Sequence, residues 1–261
     1  MKDRVIVITG ASSGIGAALA RSVAGVGASV ALLARREREL GEVATACGPN
    51  ALAVVADVTQ RGDVARALDA AIARFGHVDV WVNNAGRGIS RLVSDLTDDD
   101  LDEMWRVNVK SVLYGMQAVL PHFRERDQGH IINVSSMLGR VPFAMIRSAY
   151  SASKHAMNSL TANLRMELAA KYPRIHVSCV HPGVVTTGFG MKALHGGIDS
   201  RVFPGAQSPE EVAEVIASTI EKPRADVYTR PEGQKVIVSY YAAEDMAEAE
   251  KAFGPPARPA K

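Results

Sequence analysis

The β-branched run Val5-Ile-Val-Ile8 passes directly into Thr9-Gly10-Ala11-Ser12-Ser13-Gly14-Ile15-Gly16, and helical character follows from Ala17 to Val26. A strand, a glycine-rich turn and a helix within so few residues form the first half of a parallel β-α-β unit. The glycines at 10, 14 and 16 let the backbone turn tightly and approach a ligand closely. The amides at the start of the following helix then point outward and favour a phosphate. The spacing differs from GxGxxG, and a tight strand–helix turn is the plainer reading of such a loop alone. With a strand before it and a helix after it, dinucleotide binding is the stronger expectation.

The same alternation continues along the chain. Short apolar runs at 28–34, 51–56, 78–82, 130–134, 175–180 and 226–228 read as strands. Helical patterns occupy 37–47, 64–75, 98–120 (broken near Asn108), 150–171 and 209–221. Continuous apolar strands suit a parallel sheet covered on both faces, so the expected fold is α/β, a doubly wound Rossmann-type sheet of about seven strands. Ligands of such sheets bind beyond the C-terminal strand ends. Residues 1–253 are expected to form a single dinucleotide-binding domain, with Gly-rich 188–208 as a substrate lid and 254–261 as a flexible tail.

Composition removes several other readings. Lys and Arg number 30 against 28 Asp and Glu, and a net charge of +2 is no nucleic-acid footprint. The chain is 47% hydrophobic and 22% charged, which excludes wholesale disorder. Cys47 and Cys179 belong to no CxxC pair, so neither a zinc ribbon nor a disulfide framework is expected. No HExxH or clustered carboxylate pattern argues for a metal. The first apolar run is too short for a signal-peptide core, and no run is long enough to span a bilayer, so a cytoplasmic protein is expected.

Further motifs fall at strand ends. Strand two ends in Ala34-Arg35-Arg36, where NAD-binding sheets usually place an acid for the ribose 2′-hydroxyl. Arginine instead grips a 2′-phosphate through forked, charge-assisted hydrogen bonds, so NADP is preferred over NAD. The other reading is a solvated charge run, since Glu37, Arg38 and Glu39 follow. Asp57-Val58, after strand three, reads either as an adenine contact or as a turn residue. Asn83-Asn84-Ala85-Gly86, after strand four, leaves room for a ribose or flat ring, or closes an Asx turn. Tyr150 and Lys154 are i and i+4 on a helix, where an ammonium beside a phenol favours the phenolate. Ser135-Ser136 ends strand five, where a hydroxyl can hold a carbonyl oxygen beside Tyr150. Asn108 reads as a polar break in its helix that seats a water, or as a poor helix former facing solvent.

Together these residues make the chain resemble the single-domain short-chain dehydrogenase/reductase family over about positions 4 to 230. TGASSGIG at 9–16 matches that family's cofactor loop, through Gly10, Ser12, Ser13, Gly14, Ile15 and Gly16. NNAG at 83–86 matches its strand-four signature and places Asn84, Ala85 and Gly86 at the cofactor. Asn108 within VNV, Ser136 within NVSS, and Tyr150 with Lys154 match the catalytic set. Pro182-Gly183, with Val185 and Thr187, matches the segment that contacts the nicotinamide carboxamide. Arg35 stands where NADP-preferring members hold the 2′-phosphate, with Arg36 assisting.

The resemblance implies hydride transfer between nicotinamide and a carbonyl or alcohol carbon. Tyr150 would exchange the oxygen-bound proton, and Lys154 would bind ribose hydroxyls and lower the tyrosine pKa. Ser136 would stabilise the substrate oxygen, and Asn108 would hold a water that links Lys154 to solvent. It also implies a homodimer or homotetramer that meets through helices 98–120 and 150–171.

Two departures bear on the branch. Ser13 replaces a second basic residue found in some NADP users. The C-terminal part lacks the TG…VDGG-like strand of 3-oxoacyl-carrier-protein reductases, and YSASKHA at 150–156 looks more like carbonyl and steroid reductases. Apolar Met137, Leu138, Phe143, Met145 and Ile146, with Phe189, Met191, Leu194 and Phe203, suggest a hydrophobic ketone or aldehyde. His155 and His181 read as structural or as pocket residues. A carrier-protein-dependent reductase, with Arg124, Arg126 and Arg174 as docking charges, and a non-catalytic NADP(H)-sensing module are the rival functions.

Overall fold

The computed structural model describes residues 1–251, so the tail expected over 254–261 lies outside the described residues. The strands are β1 (Val5–Thr9), β2 (Ser29–Ala34), β3 (Ala51–Val55), β4 (Val80–Asn83), β5 (Gly129–Val134), β6 (Ile175–His181) and β7 (Asp226–Tyr228). They form one parallel sheet in the order β3-β2-β1-β4-β5-β6-β7. The helices between them are α1 (Gly14–Gly25), α2 (Glu37–Cys47), α3 (Arg61–Phe75), α4 (Asp98–Trp105), α5 (Ser111–Arg126), α6 (Ser148–Ala169) and α7 (Pro209–Glu221).

Side chains alternate across a strand, and here both faces are dry. Ile6, Ile8, Val30, Leu32, Val80, Val82 and Ile132 face one layer, with Leu19 and Val23 of α1 and Ile216 of α7. Val5, Val7, Ala31, Leu33, Trp81 and Ile131 face the other, with Leu68 of α3, Phe123 of α5 and Leu164 of α6. Double burial is why the strands read as unbroken apolar runs. Strand order reverses between β1 and β4, so the loops leaving these two strands separate and open a crevice.

The break expected near Asn108 is present, and three local features go beyond expectation. The helix expected over 98–120 is divided by a π-helical turn, Arg106–Lys110, and continues through Pro121 to Arg126. α1 starts at Gly14 rather than Ala17, because the turn residues themselves enter the helix. Beyond residue 231 lie two unanticipated helices, α8 (Pro231–Tyr241) and α9 (Met246–Glu250). α8 buries Ile237 and Tyr240 against Val141.

Candidate active site

The crevice is built first by glycine. Gly10 takes φ +68° and Gly14 φ +56°, values that L side chains rarely adopt. A Cβ built on Gly10 would lie 2.8 Å from Ala85 Cα, and one on Gly16 would lie 2.6 Å from Asn84 Nδ2. The β1 and β4 loops therefore touch through missing side chains. Thr9 Oγ1 accepts from the backbone amides of Asn84 and Ala85, at 2.9 and 3.0 Å, while Asn84 Nδ2 donates to Thr9 O at 2.8 Å. Asn84 thus ties the two loops together. Asn83 belongs to a buried chain from Trp81 through Asn133 to Thr161.

Ser13 is the N-cap of α1, yet its side chain makes no cap hydrogen bond. Arg36 Nη2 donates instead to Ser12 Oγ at 2.8 Å and Ser13 Oγ at 2.7 Å. The first-turn amides of α1 are therefore left uncapped by a side chain, beside a guanidinium. Arg35 is exposed next to it. Asp57 Oδ1 accepts from Thr59 N and Oγ1, at 2.9 and 2.8 Å, an Asx turn. Val58 packs on the core.

Asn108 lies at the centre of the π turn and is fully buried, so the solvent-facing reading is overturned. Its Oδ1 accepts from Arg87 N at 2.9 Å, and its Nδ2 donates to Arg87 O and Ser153 Oγ, at 2.9 and 3.1 Å. Lys154 Nζ donates to Val134 O at 2.8 Å. Gly86 separates the two: a Cβ there would lie 3.2 Å from Asn108 Oδ1 and 3.7 Å from Lys154 Nζ.

Tyr150, also buried, lies with its ring 5.7 Å from Lys154 Nζ. Its electrostatics depart from the expectation that Lys154 depresses the tyrosine pKa. Burial dominates and pushes the phenol up to about 12, opposed by a hydrogen bond with Ser136 and by the charge of Arg147. Burial likewise pulls Lys154 down to about 8. The reason is geometric: Nζ is aimed at Val134 O rather than at the phenol oxygen. Ser136 Oγ accepts from Leu138 N at 3.1 Å, whereas Ser135 is committed to Asn158 at 2.6 Å.

The segment after β6 lies closed over this cluster. Pro182 O accepts from Met137 N at 2.8 Å, Gly183 is exposed, and Val185 packs on the core and bridges to Gln207. A Cβ on Gly14 would lie 3.2 Å from Thr187 Cγ2, so Thr187 covers the glycine turn. Phe189 sits edge-on against Tyr150 at 5.6 Å. Leu194 exchanges backbone hydrogen bonds with Gly88 and Ser90, at 2.8 and 3.0 Å. The two histidines have structural partners: His155 bonds Ser151 O, and His181 bonds Asp226 and stacks on Tyr228. Cys179, His181 and Asp226 present ligand atoms within 4.8 Å of one another, but Arg140 bonds the same Asp226 oxygen and places a cation at the cluster. Sequence reasoning missed Arg147, which stands three residues before Tyr150 and carries charge into a stretch read as apolar. No helix of the described residues is long and apolar enough to cross a membrane.

Comparison with known proteins agrees with this geometry. Residues 4–196 match the family model described as short chain dehydrogenase. An uncharacterized oxidoreductase of Bacillus subtilis, YxnA, is 36% identical over 249 residues, which cover 91% of this chain and 68% of that protein. A short-chain dehydrogenase/reductase from Burkholderia phymatum, solved in complex with NAD, superposes with a TM-score of 0.84 at 25% identity, covering 100% of this chain and 98% of that one. An alcohol dehydrogenase from Thermococcus sibiricus, complexed with 5-hydroxy-NADP, gives 0.76 at 28% identity over 86% of this chain and 95% of that one.

Proposed function

The chain belongs to the short-chain dehydrogenase/reductase family, and we propose that it is an NADP(H)-preferring enzyme that interconverts an apolar ketone or aldehyde and its alcohol. The observation that carries this reading is the linked set in which Gly86 lies between Asn108 and Lys154, and Tyr150 lies beside Lys154 and bonds Ser136, at the crevice where strand order reverses. The glycine turn fits a dinucleotide, since the first turn of α1 has no side-chain cap and its outward amides can face a pyrophosphate. Gly10, Ser12, Ser13, Gly14, Ile15 and Gly16 would face the pyrophosphate, with Thr187 above them. When bound, the nicotinamide supplies or takes up the hydride at the substrate carbon.

Burial keeps the phenol protonated at neutral pH, so it has a proton to give to a carbonyl oxygen, and a cationic neighbour that lowered its pKa would speed the transfer. Ser136 adds a second donor at the same oxygen, where charge develops. In this reading Lys154 turns from Val134 O toward the ribose hydroxyls and favours the phenolate in the reverse direction. The side-chain amide of Asn108 is committed to protein partners, so its part in a water path would run through the main chain of the π turn, where the i→i−4 ladder is interrupted.

The NADP preference is supported by Ala34, which leaves no acid at the end of β2, and by the two arginines. Arg36 delivers a guanidinium to the Ser13 hydroxyl, and so restores the basic charge whose absence at position 13 weakened the sequence argument. Residues 1–253 are read as one catalytic unit with 188–208 as its lid. Exposed Trp105 and Met166, on α4 and α6, favour a homo-oligomeric contact there.

The test is NADPH consumption with a panel of apolar ketones and aldehydes, repeated with Tyr150→Phe. Turnover is expected to fall about 10³-fold in the variant, with NADPH still bound. Full turnover in Tyr150→Phe would remove the tyrosine from the chemistry. Tight binding with no turnover across the panel would favour an unusual or carrier-bound substrate, or the sensing module.

A further inference from the structure

Arg147 immediately precedes α6, and its charge reaches the Tyr150 phenol. A Cβ built on Gly88 would lie 3.0 Å from both Arg147 Nη1 and the Phe189 ring, and Phe189 stands edge-on to Tyr150. Guanidinium and phenyl ring therefore pack closely on Gly88, and the phenyl ring on the phenol.

The guanidinium is only half satisfied. Nη1 donates to Ile89 O at 3.1 Å, and among the described residues no carboxylate lies within ion-pair distance. Three other arginines of this region are matched: Arg87 with Glu103, Arg91 with Asp100 and Arg140 with Asp226. Burial draws the Arg147 pKa down, as expected of a cation held without its counter-charge. Its Nη2 would lie 3.0 Å from a Cβ on Gly197, with Ser90 Oγ at 2.9 Å and Gly190 O closer still, so backbone fills that point. That Ser90 hydroxyl is buried without a hydrogen-bond partner. A half-buried cation with no carboxylate partner, beside a buried hydroxyl without one, carries a desolvation cost that an anionic ligand can relieve.

We propose that Arg147 forms an anion subsite, and that the substrate is an oxo acid, or the corresponding hydroxy acid, with its carboxylate against the guanidinium and its carbonyl toward Tyr150. The proposal rests on the reductase reading above. The forked guanidinium matches the two oxygens and single charge of a carboxylate. The exposed apolar side chains of Met145, Ile146 and Phe189 would take the rest of the molecule. In the reduction, hydride adds to the carbonyl carbon and the Tyr150 proton to its oxygen. A hydroxy acid and oxidised cofactor leave, and the carboxylate is unchanged.

The test compares kcat/KM for a series of oxo acids with that for their uncharged methyl esters, in the wild-type chain, Arg147→Met and Arg147→Lys. The wild-type chain should favour the acids. Arg147→Met should lower the acid-to-ester ratio about 100-fold, chiefly through KM for the acid, and Arg147→Lys should restore part of it. Simple aliphatic carboxylates should also inhibit the wild-type enzyme competitively against the carbonyl substrate, and the matching amides should not. This last measurement needs no variant to fold. A wild-type preference for esters, or a ratio unchanged in Arg147→Met, overturns the anion subsite and leaves the reductase reading standing. Absence of turnover for acids and esters alike, with NADPH bound, overturns both.

Discussion

Replacing Gly16 by Ala tests the packing of the cofactor crevice directly. The new methyl would meet Asn84 Nδ2 and Gly10 O, each at 2.6 Å. Neither neighbour yields easily, since Asn84 is held by Thr9 through both its backbone amide and its side chain. Relief to ordinary contact requires the β1 and β4 loops to part by ~0.8 Å, and overpacking of this kind costs about 1–3 kcal/mol. Ala recovers about 0.5–1 kcal/mol over Gly within a helix, so a net loss of ~0.5–2 kcal/mol is expected. The matched control is Gly41→Ala in α2, where the added methyl meets nothing within 4 Å and a gain of about 0.5–1 kcal/mol is expected. Urea unfolding reads both stabilities, and fluorescence titration reads NADPH affinity. Gly16→Ala should weaken NADPH at least ~10-fold, because the parted loops no longer present the α1 amides. Wild-type stability and affinity in Gly16→Ala would refute the reasoning, as would a loss of stability in Gly41→Ala.

Exchanging Arg35 or Arg36 for Ala should lower the ratio of NADPH to NADH efficiency at least ~10-fold, as loss of a charge-assisted contact to phosphate would. An unchanged ratio in both variants would show that neither arginine reads the 2′-phosphate. His130 is buried, bonds Ser178 at 2.8 Å, and has its pKa pulled down to about 3 by burial and then by His176. The unfolded chain takes up that proton near pH 6.5 and the folded chain does not, so stability present above pH 6.5 is lost as pH falls toward 3. The slope from this residue is about 1.4 kcal/mol per pH unit, or about 2 kcal/mol by pH 5. Urea unfolding between pH 7.5 and 5 should show a shallower decline in His130→Gln, and equal slopes would refute the assignment.

Most of the fold was legible because the strands are buried on both faces and separated by amphipathic helices. α2, α7 and β7 fall where the pattern placed them. The break near Asn108 was visible as a polar residue in an apolar helix. Its π geometry was not, since that depends on Arg87 and Ser153, which are 21 and 45 positions away. α8 was missed although its apolar period is no weaker than that of α5 or α6, and its packing on Val141 comes from a distant segment.

The site divides along the same line. Residue identity and spacing along the chain already dictated the glycine turn after β1, the Tyr150–Lys154 pair and the arginines at the end of β2, because each acts through local geometry. Long-range packing settled what those groups do electrostatically. Burial, rather than Lys154, dominates the tyrosine. Arg36 reaches across 23 residues to Ser13, and Phe189 closes on Tyr150 from a segment 39 positions away. Whether a charge is paired depends on which segments meet, and no spacing rule records that. Arg147 could be read as an arginine before a tyrosine, but its missing partner became visible only when the lid, the β4 loop and α6 were brought together.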